Sequence, residues 1–303
     1  MNRRIQAQRT LYIFTLGLLL LVQTVFAQTI DSVQRNVDNA PRKKVYHINR
    51  LSGSIIILGG LATDYPAIGR IKDKANLTDA EISALNPSSI DVFDQWALHQ
   101  SISNYMMYSS LSDEVEPPIF VLLPAMLALD KKIRKDWFDL LFMYCEGHVI
   151  TFTFYNYSWF GPTFQNKYRP ITYYTNLPMG DRTTGNNRNS EYSGHTASVA
   201  YTSFFVAKVY CDYHPDIGAG KYLLYTAALI PPVAMGYLRV MALAHFPSDD
   251  LTGLAIGSLV GIILPEIHKF KCPGINLGLM SIPGAAGLDV CWTLPTSTPK
   301  SFN

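Results

Sequence analysis

The stretch RVMALAHFPSDDLTG, residues 239–253, sets an arginine, a histidine and two aspartates between the apolar runs MGYL and LAIGSLVGIIL. An unpaired charge in such surroundings is costly, so Arg239, His245 and Asp249 must be paired, hydrated or used. Pro247 ends the helix that carries Arg239, and Ser248, Asp249 and Asp250 suit the start of the helix that follows. His245 at one helix end thus faces Asp249 at the start of the next. A carboxylate on one ring nitrogen leaves the other free to attack, which is what a histidine nucleophile needs. Arg239 offers planar donors matched to a phosphate or a similar oxyanion.

A second group of such residues stands at NSEYSGHT, residues 189–196, just before another apolar run. Ser193 suits the cap of the helix that follows, and Gly194 lets the backbone approach a ligand closely. The free amides of a helix start bind anions, and His195, projecting from the first turn, can give a proton to a leaving group. A third piece is KYRP, residues 167–170, where Arg169 precedes a proline. Each is weak alone; in this order and on one face they are specific. The remaining histidines are assigned no chemistry: His47, His99, His214 and His268 read as solvated, and His148, beside Glu146, as buried and hydrogen-bonded.

These residues need elements to hold them, and composition says of what kind. With 48% apolar and only 16% charged residues, the chain is too apolar for disorder and lean in charge for an ordinary soluble enzyme. A partly membrane-embedded protein fits. The first 27 residues have a basic start, an apolar run from Leu11 to Val22 and compact residues at Val25 and Ala27. That is the layout of a secretory leader cut between Ala27 and Gln28, with an uncleaved anchor as the alternative; either exports the chain. Taking Arg3, Arg4 and Arg9 from the 25 basic residues leaves 22 against 23 acidic, so the basic excess of a nucleic-acid binder is missing. Of the four cysteines, Cys145 and Cys211 sit in apolar runs as small buried thiols. Cys272 and Cys291 bracket the tail and could bridge in an oxidising compartment.

Along the chain we expect a linker with an apolar segment over 28–77, a domain over 78–270 and a Gly- and Pro-containing tail over 271–303. Thr78 and Glu81 form a capping-box pattern at a helix start, and a second short helix is expected at SSIDVFDQWALHQ. The apolar segments 118–129, 137–160, 196–213, 222–244 and 251–267 read as helices. The basic cluster DKKIRKD, residues 130–136, belongs on the cytoplasmic side, which puts 161–195 and 245–250 outside. Segment 54–69 is then interfacial or packed on the bundle, because a span there would put that cluster on the wrong side. A wholly soluble periplasmic helical protein is the alternative.

Arg169-Pro170, then Ser193-Gly194-His195, then Arg239 with His245 six residues on and Asp249 four further, resembles the signature of the phosphatidic acid phosphatase type 2 (PAP2) superfamily. The likeness covers roughly residues 78–270. It implies an all-α helical bundle of the PAP2/haloperoxidase type, with several membrane-spanning helices, whose motifs line one phosphate pocket without metal or other cofactor. His245 would become a phosphohistidine, Asp249 would orient it, and His195 would protonate the departing oxygen and later activate water. Arg169, Ser193, Gly194 and Arg239 would hold the phosphoryl oxygens. The substrate would be a phosphorylated small molecule or lipid, as a phosphomonoester or a pyrophosphate, met at the periplasmic face of the inner membrane. A soluble broad-specificity acid phosphatase, a vanadate-dependent haloperoxidase and a non-catalytic phosphate-binding homologue are the other readings. The chain departs from the pattern twice. Pro162 stands seven residues before Arg169, where the family carries a lysine that Lys167 could replace only on a non-helical backbone. Tyr192 stands where a proline usually precedes Ser-Gly-His.

Overall fold

The structure, a computed structural model, describes residues 44–270 together with the backbone of Ile275–Ile282 and Ala285–Trp292. The expected leader, Cys272 and the side chain of Cys291 lie outside the described residues. The nine helices described are α1 (Arg50–Lys72), α2 (Asp79–Ser83), α3 (Tyr105–Ala125), α4 (Trp137–Tyr157), α5 (Met179–Arg182), α6 (Gly194–Tyr213), α7 (Gly220–Ala228), α8 (Ile230–Met241) and α9 (Pro247–Lys269). The all-α expectation holds for the bundle. The tail adds an antiparallel hairpin, β1 (Ile275–Ile282) paired with β2 (Ala285–Trp292), which its Gly and Pro content had concealed.

Six passes, α1, α3, α4, α6, α7 with α8, and α9, run alternately between two ends. One end is marked by the backbone bond from His47 to the His268 carbonyl at 2.7 Å and by the Arg50–Asp139 pair at 3.0 Å. It also gathers the 130–136 cluster, where Tyr213 donates to Asp136, together with Lys269. The other end holds the loops that carry the motifs. His214 and His268, expected to be solvated, are instead tied into the first end by Asp130 at 3.0 Å and Glu146 at 3.1 Å.

The contact between α6 and α9 sets the geometry of the motifs. Gly253, Gly257 and Gly261 repeat every fourth residue on α9 and face the α6 backbone: a Cβ on Gly257 would lie 2.0 Å from the Ala197 carbonyl oxygen, and one on Gly253 2.4 Å from that of Ser193. Only hydrogen at these positions lets the helices approach so closely. Nearer the basic end, Met143 and Tyr144 of α4 pack on Tyr201 and Phe205 of α6 and Leu264 of α9 in the main core.

Two elements differ from expectation. The apolar segment 54–69 is the middle of a continuous 23-residue helix, α1, which keeps Pro66 inside it. It packs along α4, where Asp64 accepts from Asn156 at 2.9 Å and Thr153 at 3.1 Å. Three segments among the described residues are long and apolar enough to cross a membrane: Arg50–Lys72, Gly220–Met241 and Pro247–Lys269. The second surprise is α3, which begins at Tyr105, well before the expected apolar start at residue 118, and continues through Pro117 and Pro118. Thr78 and Glu81 do form their capping box.

Candidate active site

Three loops at one end of the bundle carry the motifs, and backbone hydrogen bonds lace them together. Arg169 N–H donates to the Asn187 carbonyl at 2.8 Å, Ser190 N–H to Lys167 at 3.0 Å, Ile171 N–H to Leu243 at 3.1 Å and Ser193 N–H to Asp249 at 3.1 Å. The last turn of α1 and the segment after it brace the middle loop: Arg188 makes a two-pronged pair with Glu81, both contacts 2.7 Å, and Asn189 donates to the Ile71 carbonyl at 3.0 Å. Gly185 is needed there, since a Cβ would fall 1.8 Å from the Lys74 carbonyl oxygen. Leu243, fully buried with φ of 56°, takes the left-handed conformation at the turn between α8 and α9. That backbone is costly for a branched residue and is held by the surrounding packing.

His245 follows this turn and is 2% exposed. Its Nδ1–H donates to the Ser190 carbonyl at 2.6 Å. A carbonyl can only accept, so the proton sits on Nδ1 and Nε2 carries the lone pair. Burial, then the charges of Arg239 and Arg169, hold the ring's pKa well below the ordinary histidine value, which keeps it neutral and nucleophilic.

Asp249 was expected to be the partner of this ring, and the geometry corrects that expectation. Its Oδ2 is 3.9 Å from Nδ1, beyond hydrogen-bond reach. Its oxygens accept instead from Lys167 Nζ at 2.6 Å, from the Ser190 hydroxyl at 2.6 Å and from the Phe246 amide at 2.9 Å. Asp249 is therefore linked to His245 by way of Ser190, whose hydroxyl donates to Asp249 and whose carbonyl accepts from the ring. The same contacts place Lys167. The backbone around it is non-helical, as a substitute for the missing lysine requires, but its ammonium turns to Asp249 and to Asp94, 3.9 Å away. Burial opposes the charge on Lys167, yet the neighbouring carboxylates outweigh it and raise its pKa. Pro162 is buried in the loop before it.

The two arginines lie close enough to repel. Burial first and Arg239 second bring the pKa of Arg169 down to about 10, which still leaves it charged at neutral pH. Arg169 Nε donates to the Asn189 carbonyl at 3.3 Å. Arg239, 4% exposed, donates from Nη1 to Ser112 at 2.9 Å, and its buried Nε has no hydrogen-bond partner among the described residues. A cavity of about 290 Å³ opens beside Arg169, lined also by Asn187, residues 242–244 and Tyr105, Met106 and Ser109 of α3; Arg239, His195 and His245 are not in its lining.

Ser193 caps α6 with its hydroxyl, 3.4 Å from the Thr196 amide and 3.0 Å from the Thr196 hydroxyl. A Cβ on Gly194 would meet the Tyr155 ring at 3.2 Å. His195 points to α3: its Nε2–H donates to Asp113 Oδ1 at 3.0 Å, with Glu116 Oε2 at 3.5 Å. Asp113 also lies 3.6 Å from Arg239 Nη1.

Ser190, Ser112, Asp113 and Glu116 are the residues that sequence reasoning missed. Ser190 acts through its carbonyl, which any residue type supplies, so nothing in the sequence could mark it. Asp113 and Glu116 did leave a signal: acids three apart share one helix face, but Pro117 and Pro118 hid the helix.

No curated protein matches the chain. Among solved structures, the crystal structure of the first transmembrane PAP2 type phosphatidylglycerolphosphate phosphatase from Bacillus subtilis is similar to 70% of this chain and 96% of its own, at 17% identity and a TM-score of 0.40. Residues 136–271, which carry Arg169, Ser193, Gly194, His195, Arg239, His245 and Asp249, match the family model of the PAP2 superfamily, and the resemblance read from the motifs is borne out over that stretch.

Proposed function

We propose that the protein is a phosphatase that hydrolyses a phosphomonoester or pyrophosphate, of a lipid in the first instance, through a phosphohistidine on His245. The observation that carries this reading is the buried, neutral His245, its Nδ1 proton fixed on the Ser190 carbonyl and its ring beside two arginines. A neutral imidazole with one nitrogen pinned is a nucleophile whose geometry is set before substrate arrives.

In this mechanism Arg169 and Arg239 hold the phosphoryl oxygens, aided by the amides at the start of α6. His245 Nε2 attacks phosphorus and the bond to the leaving oxygen breaks, its electron pair staying on that oxygen. His195 gives the oxygen its proton, and the alcohol departs. Water then attacks the phosphohistidine, its proton passing to His195, and the N–P bond breaks to release inorganic phosphate and restore His245. The arginines meet the phosphoryl charge, so the scheme needs no metal. Asp249, Ser190 and Lys167 act as positioning residues behind the nucleophile.

Three apolar helical segments of spanning length among the described residues support a membrane setting. The gathering of Arg50, the 130–136 cluster and Lys269 at the end opposite the site supports a periplasm-facing pocket; with α1 as a pass that starts at that basic end, this orientation puts residue 50 on the cytoplasmic side and so goes against the export expected of the leader. The test is phosphate release by the purified full chain in detergent from lipid and soluble phosphates, with and without chelator. Release that survives chelator and is lost by at least a few thousand-fold in His245→Ala is expected. Release that needs added magnesium, or near-normal release by His245→Ala, would overturn the reading.

A further inference from the structure

The acidic pair on α3 bears on which phosphate the pocket takes. His195 stands on the leaving-group side of the mechanism above, and two carboxylates converge on its Nε2, Asp113 at 3.0 Å and Glu116 at 3.5 Å. Asp113 is 49% exposed on its side chain, so it is open to solvent as well as to the ring. The cations are on the other side. Arg169 and Arg239 are the two that serve the transferred phosphoryl group, and Arg239 already shares Asp113 at 3.6 Å. Lys167, which could have held a second phosphate, is bound to Asp249 at 2.6 Å and has Asp94 at 3.9 Å. The charge of the site thus changes sign across it: the arginines surround the phosphorus to be attacked, Asp113 stands between Arg239 and His195, and the carboxylates of Asp113 and Glu116 flank the donor to the oxygen to be released.

We propose that Asp113 and Glu116 set the substrate class by the charge of the leaving group: the site takes phosphomonoesters of uncharged or ammonium-bearing alcohols and discriminates against diphosphates. This inference rests on the phosphatase reading and on His195 as the proton donor. In a monoester the departing group is an alcohol, which meets the carboxylates without repulsion. In a diphosphate the departing group is itself a phosphate, and its charge would lie beside both carboxylates, with only His195 and Arg239, both already engaged by Asp113, to balance it. Like charges placed against the wrong substrate are an economical source of specificity. Asp113 and Glu116 also hold the His195 ring, so their removal lowers turnover on every substrate. The ratio between substrates is therefore the quantity that reports the role.

The experiment compares kcat/KM of the purified full chain for farnesyl phosphate and farnesyl diphosphate, which share one tail, with phosphate release as the readout. The wild type should prefer the monophosphate by about tenfold or more, and Asp113→Asn with Glu116→Gln, which keeps hydrogen-bonding side chains at both positions, should reduce that preference by about tenfold. Asp113→Asn alone, at the more exposed of the two side chains, should move the ratio the same way and serves if the double variant does not fold. A wild type that prefers the diphosphate, or a ratio unchanged in variants that still cleave the monoester, would overturn the inference and leave the phosphatase reading standing. Release from neither substrate nor any other phosphate would overturn both.

Discussion

Lys167→Ala separates two roles for the lysine nearest the missing family position. The ammonium is 2.6 Å from Asp249, whose side chain is 0% exposed, while Lys167 itself is 30% exposed. Breaking a fully buried ion pair by removing one partner costs about 3–5 kcal/mol, because the other charge stays buried. Water can reach part of the space that Lys167 leaves, and Asp249 keeps its bonds from Ser190 and Phe246, so the expected loss is smaller, about 2 kcal/mol. At roughly 2–4 °C per kcal/mol, the unfolding midpoint should fall by roughly 4–8 °C. Asp249→Asn in the same background should recover much of this, since the uncompensated charge is then gone. Thermal unfolding of wild type, both single variants and the double variant gives the coupling directly. Kinetically, kcat should fall as Ser190 loosens its hold on His245, with little change in KM. A variant of unchanged midpoint whose KM rises tenfold or more would refute the reasoning, because it would mean that Lys167 contacts the phosphate.

Two further outcomes follow from the structure. Because the folded His245 resists protonation, the unfolded chain takes a proton below about pH 6.5 that the folded chain does not, so stability falls with falling pH, by at most about 1.4 kcal/mol from this ring at pH 5.5. The drop in unfolding midpoint between pH 7.5 and 5.5 should accordingly be smaller in His245→Gln by up to roughly 3–6 °C, and equal drops would contradict the buried neutral ring. On orientation, a cysteine at Thr184, exposed in the motif-bearing loops, should react with an impermeant thiol reagent in intact spheroplasts. One at exposed Lys131 should react only after lysis, and the opposite pattern would reverse the membrane sidedness.

The motif loops were legible in the sequence because their charges interrupt apolar helices, and a charge in that setting has few structural uses. The approach of α6 and α9 was implicit in the spacing of Gly253, Gly257 and Gly261, though nothing in the sequence alone says which helix such a stripe will face. The role of Asp249 was legible in position but not in contact. Its spacing from His245 suggested a direct pair, while the folded loops interpose Ser190, whose contribution to the ring is a backbone oxygen. Lys167 was legible as a cation near the motif, but its partners, Asp249 and Asp94, lie far along the chain and are brought in by the start of α9. Helix α3 was the element least visible, since Pro117 and Pro118 read as a break and its first turns as soluble. With it went the acidic partners of His195. The continuous α1 was obscured in the same way by Asp64 and Pro66; the carboxylate of Asp64 is answered by Asn156 and Thr153 on α4.

The most direct test of the central claim is to trap the covalent intermediate. The full chain is mixed with a lipid phosphate labelled in its phosphorus, quenched within a turnover in alkaline denaturant, where a phosphoramidate survives, and digested for peptide mapping. The account predicts label on the peptide containing His245, lost on acid treatment, absent in His245→Gln and retained or increased in His195→Gln, which slows the release of phosphate. Label on any other residue, or turnover by His245→Gln near that of the wild type, would contradict it.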